Sequence, residues 1–398
     1  MHNMDKHDFN KESLELHKKH RGKIEVVSKI EVNTTDDLSR VYSPGVAAPC
    51  LAIAENVEEA YNLTIKGNTI AVVSDGTAVL GLGNIGPEAA IPVMEGKAML
   101  FKKFANVDAF PICLNTIVSS EIIETVKRIA PVFGGVNLED ISAPRSFEIE
   151  TALQDIGIPV FHDDQHGTAI VALAGILNSC KVLGKDISDL KIVINGAGAA
   201  GIAISRLLRC ISIDPEVCIP VKQVLVCDSK GIIHKNRTDL NPVKIELLDY
   251  SNPDNVQGSL KDAIVNADVF IGVSVANILT ADDIKTMAQD PVIFALANPN
   301  PEIMPEEALK GGAAIIATGR SDYPNQVNNV LAFPGIFRGA LDCRAKRITP
   351  KMKIAAAYAI ASCLSEPDKE NIIPKSLNKQ IASKVAEAVK QAYDNYEN

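Results

Sequence analysis

Two pairs of neighbouring carboxylates stand out in the first half of the chain. Glu139 and Asp140 form one pair, Asp163 and Asp164 form the other, and each pair follows a short apolar run that is typical of a buried strand. Four carboxylates brought together would repel one another unless a cation neutralised them. Oxygen ligands suit a hard divalent ion such as Mg²⁺ or Mn²⁺. Composition alone leaves open that these residues cap helices and face solvent.

A glycine-rich motif in the second half favours a dinucleotide site. The stretch "KIVINGAGAAG" places G-x-G-x-x-G directly after an apolar strand and at the start of a helix. In that context the glycines allow a tight turn, close approach of a pyrophosphate and close helix–strand packing. The alternative is a tight turn that binds nothing. The predicted cofactor contacts in this loop are Gly196, Ala197, Gly198, Ala199, Ala200 and Gly201.

An acidic residue at the end of the next strand fits the ribose of such a cofactor. Asp228 follows "KQVLV" and lies 27 positions after Gly201, beyond the usual spacing of about 20, so we expect an inserted loop between them. The alternative is that Asp228 caps a turn. A carboxylate there would repel the 2′-phosphate of NADP, so we expect NAD to be preferred. Lys230 and Lys235 follow in the sequence, and we expect them to face water.

Polar residues in apolar surroundings add further candidates. Lys97 lies on an otherwise apolar helical face, where burial would lower its pKa and make it a base; lysines in such places more often extend to water. Tyr42 lies in "RVYSPGVAAPC", and Asn298 and Asn329 lie at predicted strand or loop ends. Asparagine is common in turns, so neither is diagnostic alone.

Length and composition narrow the class of protein. A chain of 398 residues is long enough for two domains. Its formal net charge of −9 argues against nucleic acid or an anionic membrane as a partner, and we expect no membrane-spanning segment. The polar N-terminus has no apolar core like that of a signal peptide. Eight cysteines are scattered singly, which predicts reduced, buried thiols in a cytoplasmic protein.

The order of predicted elements indicates an α/β fold. Apolar strand-like runs alternate with helical patterns in both halves, which implies parallel sheets. We predict a first helix from Lys11 to His20 capped by Asn10, and helices at the C-terminus. The predicted domains are residues 1–165, an α/β substrate and metal domain, and residues 166–398, a Rossmann-type doubly wound sheet followed by C-terminal helices.

Together these segments resemble the malic enzyme family, which oxidatively decarboxylates malate with a nicotinamide cofactor and a divalent metal. The resemblance rests on "YSPGV", "SDGTAVLGLGNIGP", "PVMEGKA", "NLEDI", "FHDDQHGTA", "GAGAAG", "ANPNPEI" and "NNVLAFPGIFRGALD". One departure is Ala78, which stands where larger members carry an arginine that contacts the substrate carboxylate and the cofactor. The residue that binds this carboxylate is therefore open.

The resemblance implies a role for each candidate residue. Tyr42 would be the general acid and Lys97 the general base, with Asp163 orienting the proton relay. The implied metal ligands for Mg²⁺ or Mn²⁺ are Glu139, Asp140 and Asp164. The implied contacts to malate are Asn298 and Asn329. The implied contacts to NAD, with NADP as a possible substitute, are Thr168, Ser274, Asn298 and Asn328. The resemblance also implies a homodimer.

Two other functions compete with oxidative decarboxylation of malate. A metal-dependent 2-oxo-acid decarboxylase or a malolactic-type enzyme would use the same residues without net production of NADH. A cofactor-binding regulatory protein that has lost catalysis belongs to a different class. The presence of Tyr42, Lys97 and all four carboxylates argues against this last possibility.

Overall fold

The computed structural model describes residues 8–79 and 81–397. Its strands are β1 (Thr69–Ser74), β2 (Asp108–Cys113), β3 (Gly135–Leu138), β4 (Val160–His162), β5 (Lys191–Asn195), β6 (Gln223–Asp228), β7 (Gly231–Ile232), β8 (Val269–Gly272), β9 (Val292–Ala295) and β10 (Ile315–Thr318). Its helices are α1 (Phe9–His20), α2 (Thr35–Val41), α3 (Ala47–Glu55), α4 (Ala60–Leu63), α5 (Pro87–Ala105), α6 (Ser119–Ile129), α7 (Arg145–Ala152), α8 (Asp163–Leu183), α9 (Ala199–Leu208), α10 (Pro242–Leu247), α11 (Leu260–Ile264), α12 (Ala281–Ile284), α13 (Pro305–Lys310), α14 (Phe333–Asp342), α15 (Pro350–Ala361) and α16 (Gln380–Glu397).

Both sheets are parallel, as the alternating strand and helix patterns predict. The first has the strand order β2-β1-β3-β4. The second has the order β10-β9-β8-β5-β6-β7, in which only the edge strand β7 runs antiparallel. Read from β7 and numbered in chain order within this sheet, the order is 3-2-1-4-5-6. This is the order of a dinucleotide-binding fold, in which ligands bind beyond the carboxyl ends of the strands at the switch point. The Rossmann-type prediction is confirmed.

One apolar core connects the two sheets. It contains residues of the first sheet, of α8 and of the C-terminal helices. Phe337 of α14 contacts both Phe101 of α5 and Phe161 of β4, with ring centroids 5.4 Å and 6.0 Å apart. These contacts fix α5 and the start of α8 against each other, and both helices carry predicted catalytic residues.

Several details differ from the sequence-based expectations. Asp8, not Asn10, caps α1, because its carboxylate accepts a hydrogen bond from the backbone N–H of Lys11. Cys210 and Cys218 form a disulfide across the loop after α9, so the prediction that all eight cysteines are reduced thiols is wrong for this pair. The two cysteines escape sequence analysis because the loop between α9 and β6 folds back on itself.

Helix α8 is 21 residues long. It begins directly after β4, so the second acidic pair lies in its first turn. By length and composition alone it could cross a membrane, but 61% of its most apolar 18-residue stretch is buried inside the protein. This is typical of a core helix. The predicted domain boundary at residue 165 falls in its first turn and stays a prediction.

The segment from residue 8 to residue 65, called the N-terminal arm below, differs from the rest of the fold. It contains α1 to α4, and none of its residues is buried. Its contact with the remainder includes hydrogen bonds from Lys23 to Glu95 and to the carbonyl of Pro92, both in α5. At its other end Arg344 contacts Asn62. The arm is therefore attached near both ends.

Candidate active site

Lys97 lies at the centre of a buried ion-pair cluster. Helix α5 presents its side chain to the carboxyl ends of the first sheet, where its Nζ atom lies 2.8 Å from Glu139 Oε1 and 2.7 Å from Asp163 Oδ2. The ammonium group also lies 4.3 Å from the ring centroid of Phe333. Burial alone would lower the pKa of Lys97, but the two carboxylates outweigh burial and raise it. The net shift is therefore opposite to the lowering that burial alone predicts, and the role of Lys97 as a base beside a metal stays a prediction.

Asp163 is held from three sides. It is fully buried, and its Oδ2 atom accepts hydrogen bonds from Lys97 and from the side-chain amide of Asn329. Burial raises the pKa of Asp163 to about 6, even though Lys97 opposes the shift. A Cβ atom on Gly167, one turn further along α8, would lie 2.0 Å from Asp163 Oδ1. Glycine at position 167 therefore leaves the space that the Asp163 carboxylate occupies.

Three carboxylates converge on one point at the carboxyl end of β3. Glu139, Asp140 and Asp164 each offer an oxygen, and these oxygens lie within 4.8 Å of one another. The buried Asp140 Oδ2 has no hydrogen-bond partner among the described residues. Burial and the carboxylates of Asp164 and Glu139 raise the pKa of Asp140 to about 9.

The donor set fits a divalent cation. Unneutralised like charges that share a buried site are costly, and an all-oxygen site is what Mg²⁺ and Mn²⁺ prefer. Asp140 has a positive φ of 55°, a backbone conformation that aspartate tolerates better than most residues. Its backbone N–H donates to Asp164 Oδ2 at 2.8 Å. The chain thus positions two acids from different elements toward each other.

A cleft of about 690 Å³ opens next to this cluster, between the two sheets. Asp140 and Asp164 form part of its wall. The predicted substrate and nicotinamide contacts that also line it are Thr168, Ala199, Ala200, Ser274, Asn298, Asn328 and Asn329. The structure therefore brings together residues that are distant in sequence.

A second cavity of about 720 Å³ continues from the cleft along the second sheet. Ser274 lines both cavities, and Gly196, Ala197 and Asp228 line the second. A Cβ atom on Gly201 would lie 1.8 Å from the carbonyl oxygen of Gly196, whereas a Cβ atom on Gly198 would meet no atom within 4 Å. Gly201 is thus required for packing, and Gly198 leaves room for a ligand at the start of α9.

Asp228 lies at the end of β6 as predicted, but its charge is already neutralised. Arg237 donates to both carboxylate oxygens at 2.7 Å and 3.0 Å, and Lys244 Nζ lies 2.6 Å from Oδ2. Burial alone would raise the pKa of Asp228, but these cations lower it to about 2. The prediction that Asp228 repels the 2′-phosphate of NADP does not include these two neighbouring cations. Lys230 is exposed, as expected, and its ammonium group pairs with Asp239 at the surface.

Two residues near the cleft escaped the sequence analysis. The buried Glu302 accepts hydrogen bonds from the backbone N–H groups of Ser274 and Ala297, and so orders the loops after β8 and β9. Arg145 donates to the hydroxyl groups of Thr77 and Ser142 at 2.9 Å and 3.1 Å. The quoted motif "ANPNPEI" already contained Glu302, whereas no local pattern links Arg145 to Thr77.

Arg145 lies close to Ala78, the position at which the sequence lacks the arginine that the resemblance implies. Thr77, Ala78 and Ser142 line the cleft, and the guanidinium group of Arg145 lies behind the two hydroxyl groups, where it also pairs with Asp75 at 2.8 Å. An arginine from another part of the chain thus lies beside the position where the resemblance lacks one, with its charge paired to the buried Asp75.

Tyr42 is the one predicted catalytic residue that does not join the others. It ends α2 in the N-terminal arm, and its side chain is 68% exposed. The residues that line the cleft begin at Thr77, so the cleft contains no part of the arm. Its role as general acid stays a prediction.

Comparisons with known proteins identify the family of this chain. The family model of the malic enzyme N-terminal domain matches residues 19–121, and that of the malic enzyme NAD-binding domain matches residues 165–393. A bifunctional malic/malolactic enzyme of Bacillus subtilis is 59% identical over 96% of this chain and 92% of its own length. An NAD-dependent malic enzyme of Geobacillus stearothermophilus is 59% identical over 93% of this chain and 76% of its own length.

A solved structure extends the agreement to three dimensions. The NAD-dependent malic enzyme of Thermotoga maritima superposes with a TM-score of 0.91 at 50% identity, covering 95% of this chain and 98% of that one. Two family models, two relatives at 59% identity and a superposable structure all point to the same family. This chain therefore belongs to the malic enzyme family.

Proposed function

We propose that the protein converts (S)-malate to pyruvate and CO₂ while NAD is reduced. The observation that carries the proposal is the buried cluster in which Lys97 contacts Asp163 and Glu139 beside three converging carboxylates. A proton carrier, a cation site and a cofactor cleft thereby meet at one place. The family and the NAD-binding domain support the choice of reaction.

The chemistry supplied from outside the chain is limited to two groups. A divalent cation held by Glu139, Asp140 and Asp164 would acidify the 2-hydroxyl group of malate and stabilise the negative charge left on its oxygen when CO₂ departs. The nicotinamide of NAD would accept the hydride from C2 of malate.

Lys97 would accept the hydroxyl proton as the hydride leaves. Glu139 and Asp163 together raise the pKa of Lys97 against the effect of burial. If Glu139 also held a divalent cation, its interaction with Lys97 would weaken, and the pKa of Lys97 would fall toward a value useful for a base. Asp163 stays 2.7 Å from Nζ and shares the proton.

Malate would lie in the cleft with its carboxylates among amide and hydroxyl donors. Asn298 and Asn329 line one side, and the hydroxyl groups held by Arg145 line another. Asn329 also contacts Asp163, so it links substrate position to the proton carrier. Tyr42 would protonate C3 of the enolate to give pyruvate.

The direct test is an assay with malate, Mn²⁺ and either NAD or NADP, in which NADH or NADPH and pyruvate are measured together. We expect equal amounts of reduced cofactor and pyruvate, and no activity in excess chelator. Decarboxylation of oxaloacetate without malate oxidation would instead identify a 2-oxo-acid decarboxylase.

A second function is favoured by one relative. The Bacillus subtilis protein is described as a bifunctional malic/malolactic enzyme. In that reaction the hydride removed from malate returns to C2 of pyruvate, so lactate forms and NAD is regenerated. Lactate production without accumulation of NADH, measured in the same assay, would support this activity.

A further inference from the structure

A small cavity, called the α8–α15 cavity below, lies on the side of α8 opposite the active-site cleft. It has a volume of about 210 Å³ and lies between α8, α9, α15 and the loop after α9. Asp164 and Thr168 of α8 line the cleft, whereas His166, Ala169 and Ile170 of the same helix line this cavity. Successive residues of a helix are rotated by about 100°, so the two groups occupy opposite faces. None of the described residues that line this cavity lines the cleft or the cofactor cavity.

Lys353 brings a positive charge to the wall of the α8–α15 cavity. It lies in the first turn of α15, and its side chain is partly buried. Its Nζ atom lies 6.0 Å from the ring centroid of Phe161. Nowhere in residues 8–79 and 81–397 does the ammonium group of Lys353 find a hydrogen bond or an ion pair. Its three N–H donors therefore have no acceptor from these residues.

The charged neighbours of Lys353 are already bound to other groups. Glu150 of α7 attracts Lys353, but its Oε1 atom accepts a hydrogen bond from His166 Nε2 at 2.8 Å. Arg206 of α9 pairs with Glu246 of α10, so these two charges offset each other. The ammonium group of Lys353 thus remains available to a ligand.

Burial without an acceptor disfavours the charged form of Lys353. Burial lowers the pKa of Lys353 to about 8, Glu150 opposes this effect and Arg206 adds to it. Removing a charged group from water is costly unless the group gains a partner. A bound anion would supply the missing acceptors and would favour the charged form again.

The size and the walls of the α8–α15 cavity select the kind of anion. Its volume of about 210 Å³ lies below the range of about 300–1,000 Å³ that is typical of pockets for drug-sized ligands, so the ligand must be small. Ile170, Ala203 and Leu207 give it apolar walls. A carboxylate on a short hydrocarbon chain has oxygens for the ammonium group and an apolar part for these walls. A phosphate carries more oxygens, and the apolar walls would leave some of them without donors.

A disulfide holds the remaining wall of this cavity in place. Ile211, Ser212 and Ile213 line the cavity and lie in the loop that Cys210 and Cys218 close. A cross-linked loop has fewer conformations than an open one, so this wall is formed before a ligand arrives. Sites for small molecules are usually formed in advance in this way.

We propose that the α8–α15 cavity binds a small carboxylate whose oxygens accept hydrogen bonds from Lys353. The short hydrocarbon part of this ligand packs against α8, α9 and the loop that the disulfide closes. The site lies behind α8 and outside the cleft, so the proposal does not depend on the reaction that the cleft catalyses.

Calorimetric titration of the full chain with isobutyrate tests the proposal. Isobutyrate has no 2-hydroxyl or 2-oxo group with which to chelate a cation in the cleft, and excess chelator removes the cation itself. Lys353→Met removes the charge but keeps most of the side-chain length, so Kd should rise at least about tenfold, as expected for a lost charge-assisted hydrogen bond. Lys351→Met is the matched control and should bind like the wild type, because Lys351 lies on the same helix but lines a different groove. The same Kd in Lys353→Met and in the wild type would overturn the proposal.

Two results with the wild type would also overturn it. No binding of isobutyrate up to about 50 mM, which corresponds to a free energy too small for a specific site, would mean that the cavity holds only water. Inorganic phosphate that binds at least as tightly as isobutyrate, and no longer binds to Lys353→Met, would refute the carboxylate class.

A variant that fills the cavity tests the location independently of charge. Ala203→Leu occupies space in the cavity but keeps Lys353, so isobutyrate binding should be lost in a protein whose circular dichroism matches that of the wild type. If Ala203→Leu does not fold, Ile213→Phe narrows the same cavity from the loop. Wild-type binding in the folded variant would place isobutyrate elsewhere and overturn the proposal.

The pH dependence of binding gives a last readout. Isobutyrate stays ionised between about pH 7 and about pH 9, whereas Lys353, with a pKa of about 8, changes from mostly charged to mostly neutral. The Kd for isobutyrate should therefore rise about tenfold over this range. A Kd that stays constant from about pH 7 to about pH 9 in the wild type would show that the ammonium group of Lys353 does not hold the ligand.

Discussion

The protein places aspartates at strand ends in both of its sheets, but the two sets of aspartates have opposite surroundings. Asp140, after β3, meets two other carboxylates, and these and burial raise its pKa to about 9. Asp228, at the end of β6, meets Arg237 and Lys244, and its pKa is lowered to about 2. The same residue type at the same kind of position therefore meets acidic neighbours in one sheet and basic neighbours in the other.

The difference shows what determines the function of a strand-end acid. The carboxyl ends of parallel strands are where ligands bind, whichever sheet is considered. The charge of the neighbouring side chains then determines which ligand fits. A cluster of acids needs a positive charge from a bound cation, whereas an acid that is already paired with Arg or Lys does not. The following predictions alter the neighbours in each sheet, in order of decreasing expected effect.

The largest effect is expected when Lys97 is replaced. Lys97→Ala removes the proton carrier and leaves Glu139 and Asp163 buried together without a counter-charge. A general base contributes about 10²–10⁴-fold, so malate oxidation measured as kcat with saturating Mn²⁺ should fall by at least that range. Lys102→Ala is a suitable control, because Lys102 lies on the same helix and pairs with Asp108 away from the cluster. A kcat close to that of the wild type would remove Lys97 from the mechanism.

Next in size is the effect of removing one oxygen ligand. Asp164→Asn keeps the shape but lowers the negative charge at the cation site, so the Mn²⁺ concentration needed for half-maximal activity should rise by at least about tenfold. Asp228→Asn, the matched change in the other sheet, should leave this concentration unchanged. The comparison fails if both variants shift the Mn²⁺ requirement equally.

A smaller effect is expected on cofactor choice. Because Arg237 and Lys244 neutralise Asp228, we no longer expect strong repulsion of NADP. Asp228→Ser should free both cations for a 2′-phosphate and raise kcat/KM for NADP relative to NAD, whereas Lys244→Met should lower this ratio. Each change in a charge-assisted hydrogen bond corresponds to roughly tenfold. Ratios that do not move in either variant would place the 2′-position of the cofactor elsewhere.

Much of the fold could be predicted from local patterns. Strand and helix alternation indicated both parallel sheets, and α5 and β6 begin and end close to the apolar runs that predicted them. The acids also lie where predicted, because each directly follows or ends a strand. Local sequence was sufficient here because the elements are short, strongly patterned and bounded by turns.

The partners of these acids could not be predicted in the same way. Arg237 and Lys244 lie 9 and 16 positions after Asp228 and reach it only because the chain after β7 folds back. The charged state of Lys97 depends on Asp163, which is 66 positions away in sequence. Such pairings arise from tertiary packing, and no periodic pattern marks them.

The smallest effect should appear in the pH dependence of stability. In the metal-free protein the pKa of Asp140 is raised in the folded state, so its contribution to stability is fully present below about pH 4 and is lost as the pH rises toward about 9. The pKa of Asp228 is lowered, so its contribution is present above about pH 4 and is lost only as the pH falls toward about 2.

Melting temperatures in chelator should therefore fall with rising pH more steeply in the wild type than in Asp140→Asn, whereas Asp228→Asn should alter only the acidic limb. Added Mn²⁺ should raise the melting temperature more at about pH 8 than at about pH 6, because the cation competes with fewer protons for Asp140. If Asp140→Asn has the same alkaline slope as the wild type, the acids in the first sheet do not repel one another as the geometry indicates.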